Sequence, residues 1–160
     1  MTGHPRLVLL TVFTLHNLEE VLAWSGEPPV DVTRLGLTPD LFRRDRFALA
    51  TAILTAGEAA VLANSARQSM SSTPAFLGTT GAAALGINAV GHLVRTASTR
   101  KYNPGVVTSP LLLSSAVASI RAIASDTLIS RQTAVSVATA GAVTVPAILC
   151  ALKAASALRP

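Results

Sequence analysis

Five apolar stretches, each close to the length a helix needs to cross a bilayer, leave this chain few folds to choose from. They run from about 6 to 24, 47 to 66, 75 to 96, 106 to 124 and 133 to 152, against roughly 17–25 residues needed per crossing. In hydrocarbon every backbone N–H and C=O must pair within its own segment, so the spanning form is the α-helix. Composition agrees. Only 13% of the residues are charged, where a soluble domain carries roughly 25%, and mean hydropathy is +0.51. The expected fold is therefore all-α, an integral membrane helical bundle forming a single domain over residues 1–160 with five crossings. Pro110 and Arg121 cut into the fourth stretch, which leaves open a four-crossing arrangement with that segment partly interfacial.

Arg6 followed by "LVLLTVFTL" resembles the start of a secretory signal. His16, Glu19 and Glu20 occupy the place of its cleavage region, however, and no A-x-A-like site follows, so the stretch is expected to stay as a span. The longest connection, 25 to 46, ends in "LTPDLFRRDRF". There Thr38 can cap a short helix with Pro39 at its first position, and leucines alternate with arginines. A short amphipathic helix on the membrane surface is expected.

The cations set an orientation. With five spans, Arg34, Arg43, Arg44, Arg46, Arg95, Arg100, Lys101, Lys153 and Arg159 share one side, and Arg6, Arg67, Arg121 and Arg131 the other. The positive-inside rule then places the amino terminus outside and the richer side in the cytoplasm, in the plasma membrane. The net charge of +5 is not interleaved with aromatics, so it reads as membrane-surface charge and not as a nucleic-acid footprint. Cys150 is the one cysteine, which excludes an internal disulfide and a cysteine-built zinc site. Gly78, Ala82 and Gly86 recur at four-residue steps, a spacing that lets helices pack closely in lipid. Oligomeric state is left open.

The rarest residue types concentrate where they cost most. "FTLHNLEEVLAW" places His16, Glu19 and Glu20 on one arc of the first helix. Facing lipid, each ionisable group at the bilayer centre would cost roughly 2.5–3.5 kcal/mol, so the arc must face the bundle. In the third span Asn88 and His92 lie four apart, hence on one face. His16 precedes Trp24 by eight residues, about 12 Å along the helix, and Asn88 sits at a similar distance from the same end of its own span. The two polar faces are expected to meet near the cytoplasmic side. "RKYNPGVVTSP" follows directly and brings Tyr102, Asn103 and Thr108 to the same mouth, with Pro-Gly predicting a tight turn over it. Glu58 falls about mid-span in the second helix.

Taken together, H-N-L-E-E in the first span, N-x-x-x-H in the third and Y-N-P-G-x-x-T after it resemble the HXXEE-motif membrane proteins, small multi-span proteins named for that motif. The resemblance covers roughly residues 10–110. It implies a shared site at His16, Glu19, Glu20, Asn88, His92, Tyr102, Pro104, Gly105 and Thr108, and brings no established activity.

The residue types support two chemistries. Two histidines with one or two carboxylates form a shell for a divalent Zn, Fe or Mn, so His16, Glu19, Glu20 and His92 are candidate metal ligands. Without metal, the same four make an acid–base site for isomerisation, cyclisation or hydrolysis of a hydrophobic small molecule or lipid entering from the bilayer. Asn88, Tyr102, Thr108 and Glu58 are candidate substrate-binding residues. No serine lies in a G-x-S-x-G elbow. The expected function is a membrane-embedded enzyme; the alternative from another class is a small carrier binding a proton or metal during transport.

Overall fold

Prolines mark where the helices begin. Pro5, Pro74 and Pro110 each lie in a first helical turn, where the missing N–H has no intrahelical acceptor to lose. In the computed structural model the described residues are 4–28, 31–67, 72–124 and 131–158. Five α-helices account for most of them: α1 His4–Ala23, α2 Arg44–Arg67, α3 Ser72–Thr99, α4 Ser109–Ala124 and α5 Arg131–Leu158. No strand occurs among the described residues. Three helices contain segments long and apolar enough to cross a membrane, Arg44–Ser65, Thr73–Thr99 and Arg131–Leu158. The apolar part of α4, Ser109–Ile123, is shorter. Arg159, counted above among the cations, lies outside the described residues.

Helix α3 is the hub, packing against α2, α4 and α5, while α1 lies against α4 and α2. Its small residues explain the closeness. A Cβ on Gly78 would fall 2.8 Å from Ser65 Cβ on α2, and one on Gly86 would sit at 3.6 Å from Ala116 on α4. Ala82 is fully buried between them. The core of Leu9, Val12, Phe13, Leu62, Leu85 and Leu112 fills the space around this seam. A second core joins the connection to the ends of α2 and α5 through Val32, Phe42, Ala50 and Leu152.

Three expectations need correcting. The surface helix after Thr38 is only a 3₁₀ turn, Pro39–Phe42, and Thr38 holds the cap position without a side-chain capping bond. Arg43 turns extended, with ψ 145°, so Arg44 and Arg46 open α2 instead. Arg46 is not a surface cation: it is 7% exposed and pairs with Asp40, which the turn carries back over it. The fourth helix begins at Ser109 and not near 106, because the residues before it are used by a turn at the site.

Aromatic contacts fix the mouth of the bundle. Trp24 stacks on Phe47, with ring centroids 4.1 Å apart, and its indole N–H donates to the Phe42 carbonyl at 2.8 Å. Elsewhere large apolar residues face outward: Leu7, Leu15, Leu18 and Leu22 expose one face of α1, opposite its polar groups.

Candidate functional site

One helical turn of α1 supplies three of the site's groups, and its geometry sends them to two places. His16 and Glu20, four apart, point at α3. Glu19, rotated about 100° from Glu20, points at the loop between α3 and α4.

That loop is shaped by Asn103–Val106. The Val106 N–H donates to the Asn103 carbonyl at 3.0 Å, closing a β-turn with Pro104 and Gly105 at its centre. Gly105 has φ +90°, the left-handed value that the third position of a type II turn requires. It is needed a second time for space, since a Cβ there would lie 2.7 Å from His16 Cε1. The Pro-Gly turn expected from the sequence therefore forms, directly over the buried histidine.

Glu19 holds the loop down. Its Oε1 accepts from the Tyr102 hydroxyl at 3.0 Å and from the Gly105 and Val107 amides, each at 3.1 Å. Its Oε2 accepts from the Thr108 amide at 2.9 Å and the Thr108 hydroxyl at 2.7 Å. Thr108 immediately precedes α4, so the carboxylate sits where a helix presents free N–H groups and positive potential. Burial, followed by the hydrogen bond to the Glu19 carboxylate, pushes the Tyr102 phenol above its ordinary pKa.

The same threonine orients His16. The Thr108 hydroxyl has a single proton, directed to Glu19, so its oxygen accepts from His16 Nδ1 at 2.9 Å. In neutral His16 this leaves Nε2 with a lone pair, which accepts from the Asn88 amide at 3.1 Å. Glu20 Oε2 lies 3.8 Å from that nitrogen. The imidazole is completely buried.

His92 completes the cluster from α3. Its Nε2 is 3.1 Å from Glu20 Oε1, its Nδ1 2.7 Å from the Asn103 amide, and its ring meets His16 edge-on at 4.9 Å. One ligand atom from each of His16, Glu20 and His92 lies within 4.8 Å of the others. This group could hold a metal ion: two imidazoles and a carboxylate are a recurrent three-ligand set, and both histidines have a partner on the opposite ring nitrogen.

The remaining sequence-predicted residues divide. Asn88 joins the cluster through His16; Thr108 and Tyr102 join through Glu19. Glu58 does not. It lies deeper on α2, its carboxyl over Gly81 of α3, where a Cβ would come within 2.5 Å of Oε1. The sequence puts Asn103 at the mouth without a role, and the structure makes it the partner of His92. Asn17, adjacent to the histidine, has no place in the sequence motif's reading; it ties α1 to α2 through Thr55 at 2.6 Å. An amide next to a buried histidine was the signal available for it.

Two cavities flank Glu20. An inner one of about 180 Å³ runs from Glu20 and Asn88 down to Glu58. An outer one of about 350 Å³ opens at Trp24, His92 and Arg95.

Comparison with known proteins follows the same residues. No curated protein and no solved structure matches the chain. The model of a family described as "Protein of unknown function with HXXEE motif" matches residues 7–119, a stretch containing His16, Glu19, Glu20, His92 and the loop over them. The chain belongs to the HXXEE-motif family.

Proposed function

We propose that the protein is a membrane-embedded enzyme in which His16, Glu20 and His92 hold a divalent metal and act on a lipophilic substrate. The observation carrying this reading is the Glu19–Thr108–His16 relay. It fixes the tautomer of a fully buried histidine and leaves its Nε2 lone pair on the cluster side, where it now accepts from Asn88 with Glu20 3.8 Å away, the arrangement of a ligand positioned by an outer shell. A divalent ion bound there would supply Lewis-acid polarisation of a substrate oxygen or an activated water. The chain's own groups do the rest. The Glu20 oxygen not bound to metal takes or returns a proton, Asn88 positions a substrate oxygen, and the loop from Tyr102 to Thr108 keeps water off His16. In this reading the bundle crosses the membrane five times, supported by the apolar outer face of α1. The amino terminus is outside and the site lies near the cytoplasmic side of the plasma membrane.

Metal content of protein purified in detergent without chelator tests the centre. About one Zn, Fe or Mn per chain is expected for a three-ligand site, lost in His16→Ala and in His92→Ala. Metal-free protein that stays metal-free on titration would sink the reading. Turnover in detergent, where no gradient exists, separates an enzyme from a carrier; function confined to sealed vesicles would favour the carrier.

A further inference from the structure

The inner cavity carries one buried polar atom with no hydrogen-bond partner among the described residues. Asn17 bonds Thr55, Asn88 bonds His16, and Glu20 meets His92. Thr51 and Thr144 each donate to a carbonyl of their own helix, Ala48 and Ala140. Glu58 is the exception: its Oε1 is buried without a hydrogen-bond partner, and among the described residues no Lys, Arg or His lies within ion-pair reach of it. Around it the walls are apolar, including Phe13, Leu54, Leu85 and Ile148. A carboxyl left alone in such a wall is a functional group by default, since a buried polar atom without a partner is costly.

We infer that this cavity binds a lipophilic primary amine, its nitrogen held by Glu58 and its other end delivered to Glu20. The class follows from charge. The buried Oε1 of Glu58 lacks a donor, and a protonated amine brings both that donor and the counter-charge that would hold the group as an acceptor-only carboxylate. The length follows from the helices. Glu58 is level with Gly81 and Glu20 with His92, eleven residues apart on α3, or about 16 Å. An amine long enough to cover that distance reaches Glu20, where the outer cavity begins, and a shorter one occupies only the Glu58 end of the inner cavity. This assignment rests on the reading of the cluster as the reacting end, and it names the substrate class for that site.

Photolabelling of the full-length protein in detergent with a short alkyl-diazirine primary amine tests it, with hexylamine and hexanol as competitors. The label is expected on cavity-wall residues such as Leu54, Leu85 or Ile148. Hexylamine should compete better than hexanol by about tenfold, the scale of a charge-assisted over a neutral hydrogen bond. Glu58→Gln should abolish that preference. Ala84→Leu fills the cavity and leaves Glu58 in place, and should lose the labelling altogether, which keeps the test decisive if the Glu58 variant fails to fold. Equal competition by hexanol, an undiminished preference in Glu58→Gln, or labelling retained in Ala84→Leu would each overturn the assignment. Labelling with chelator present separates the two readings. An amine preference in protein that never binds metal sinks the metal centre alone, and stoichiometric metal without an amine preference sinks the amine site alone.

Discussion

The carboxylate of Glu19 accepts five hydrogen bonds from the loop between Tyr102 and Thr108, whereas that of Glu20, one residue on, meets His92 at 3.1 Å and His16 at 3.8 Å. Two identical side chains on one helical turn thus face different demands. Glu19 is saturated by five donors, of which the Gly105 amide and the two Thr108 groups are partly buried under the loop. Glu20 is held loosely by two imidazoles and opens onto both cavities. The difference shows how one helix sends neighbouring carboxylates to separate partners: about 100° of rotation between neighbours suffices.

Substitution should break this contrast most visibly at Glu19. Glu19→Ala leaves the partly buried Gly105 and Thr108 amides without their acceptor, and each unsatisfied buried group costs about 1–3 kcal/mol. A loss of roughly 3 kcal/mol or more is expected, read as a lower unfolding temperature in detergent and as new proteolytic cleavage between 100 and 108. Glu20→Gln, with similar shape, should move stability by less than about 1 kcal/mol while removing metal. If both variants unfold alike, the division of labour is wrong.

Gly105→Ala sharpens the comparison by attacking the point where loop and cluster touch. The backbone there is left-handed and the new methyl meets His16 Cε1 at 2.7 Å. A cost of about 1–3 kcal/mol follows from the strained backbone, with weakened metal affinity from the displaced ring. Measuring both in one preparation decides it, since strain without any change in metal affinity would uncouple loop from cluster.

Thr108→Val removes the hydroxyl that joins Glu19 to His16 and keeps the shape. Outer-shell losses of this kind cost about 10–100-fold in metal affinity, with a smaller effect on folding than Glu19→Ala. Competitive metal titration against a chromophoric chelator reads it. Unchanged affinity would mean that the relay positions nothing.

How far the sequence alone reaches can be judged from these same residues. H-x-x-E-E, N-x-x-x-H and the Pro-Gly pair were enough to gather His16, His92, Asn88 and the loop, because helical periodicity and turn chemistry are local. Which of Glu19 and Glu20 faces α3 was not legible: it depends on how α1 is rotated against α3 and α4, and both orientations keep the arc inside. Arg46 misled for a related reason. A run of arginines reads as surface charge until the turn at Pro39 brings Asp40 back onto it. The part played by α5 lay outside any motif. It falls beyond the family match, which ends at residue 119, yet Thr144 and Ile148 line both cavities.

The smallest effect is expected at Tyr102, which is 58% exposed and whose hydroxyl is one of five donors to Glu19. Tyr102→Phe should cost no more than about 1 kcal/mol at neutral pH, the net worth of one hydrogen bond. Its signature is in the pH dependence. The folded-state phenol is pushed above its ordinary value by burial and by the hydrogen bond to Glu19. Its contribution is therefore complete below the unfolded value, near pH 10, and fades as pH rises through the higher folded value, where an anionic phenolate would face the Glu19 carboxylate. Wild-type protein should lose stability over that alkaline window relative to Tyr102→Phe, so the two unfolding-temperature curves converge as pH rises. Parallel curves would place the Tyr102 hydroxyl in water and leave the four donors of Gly105, Val107 and Thr108 to hold the loop.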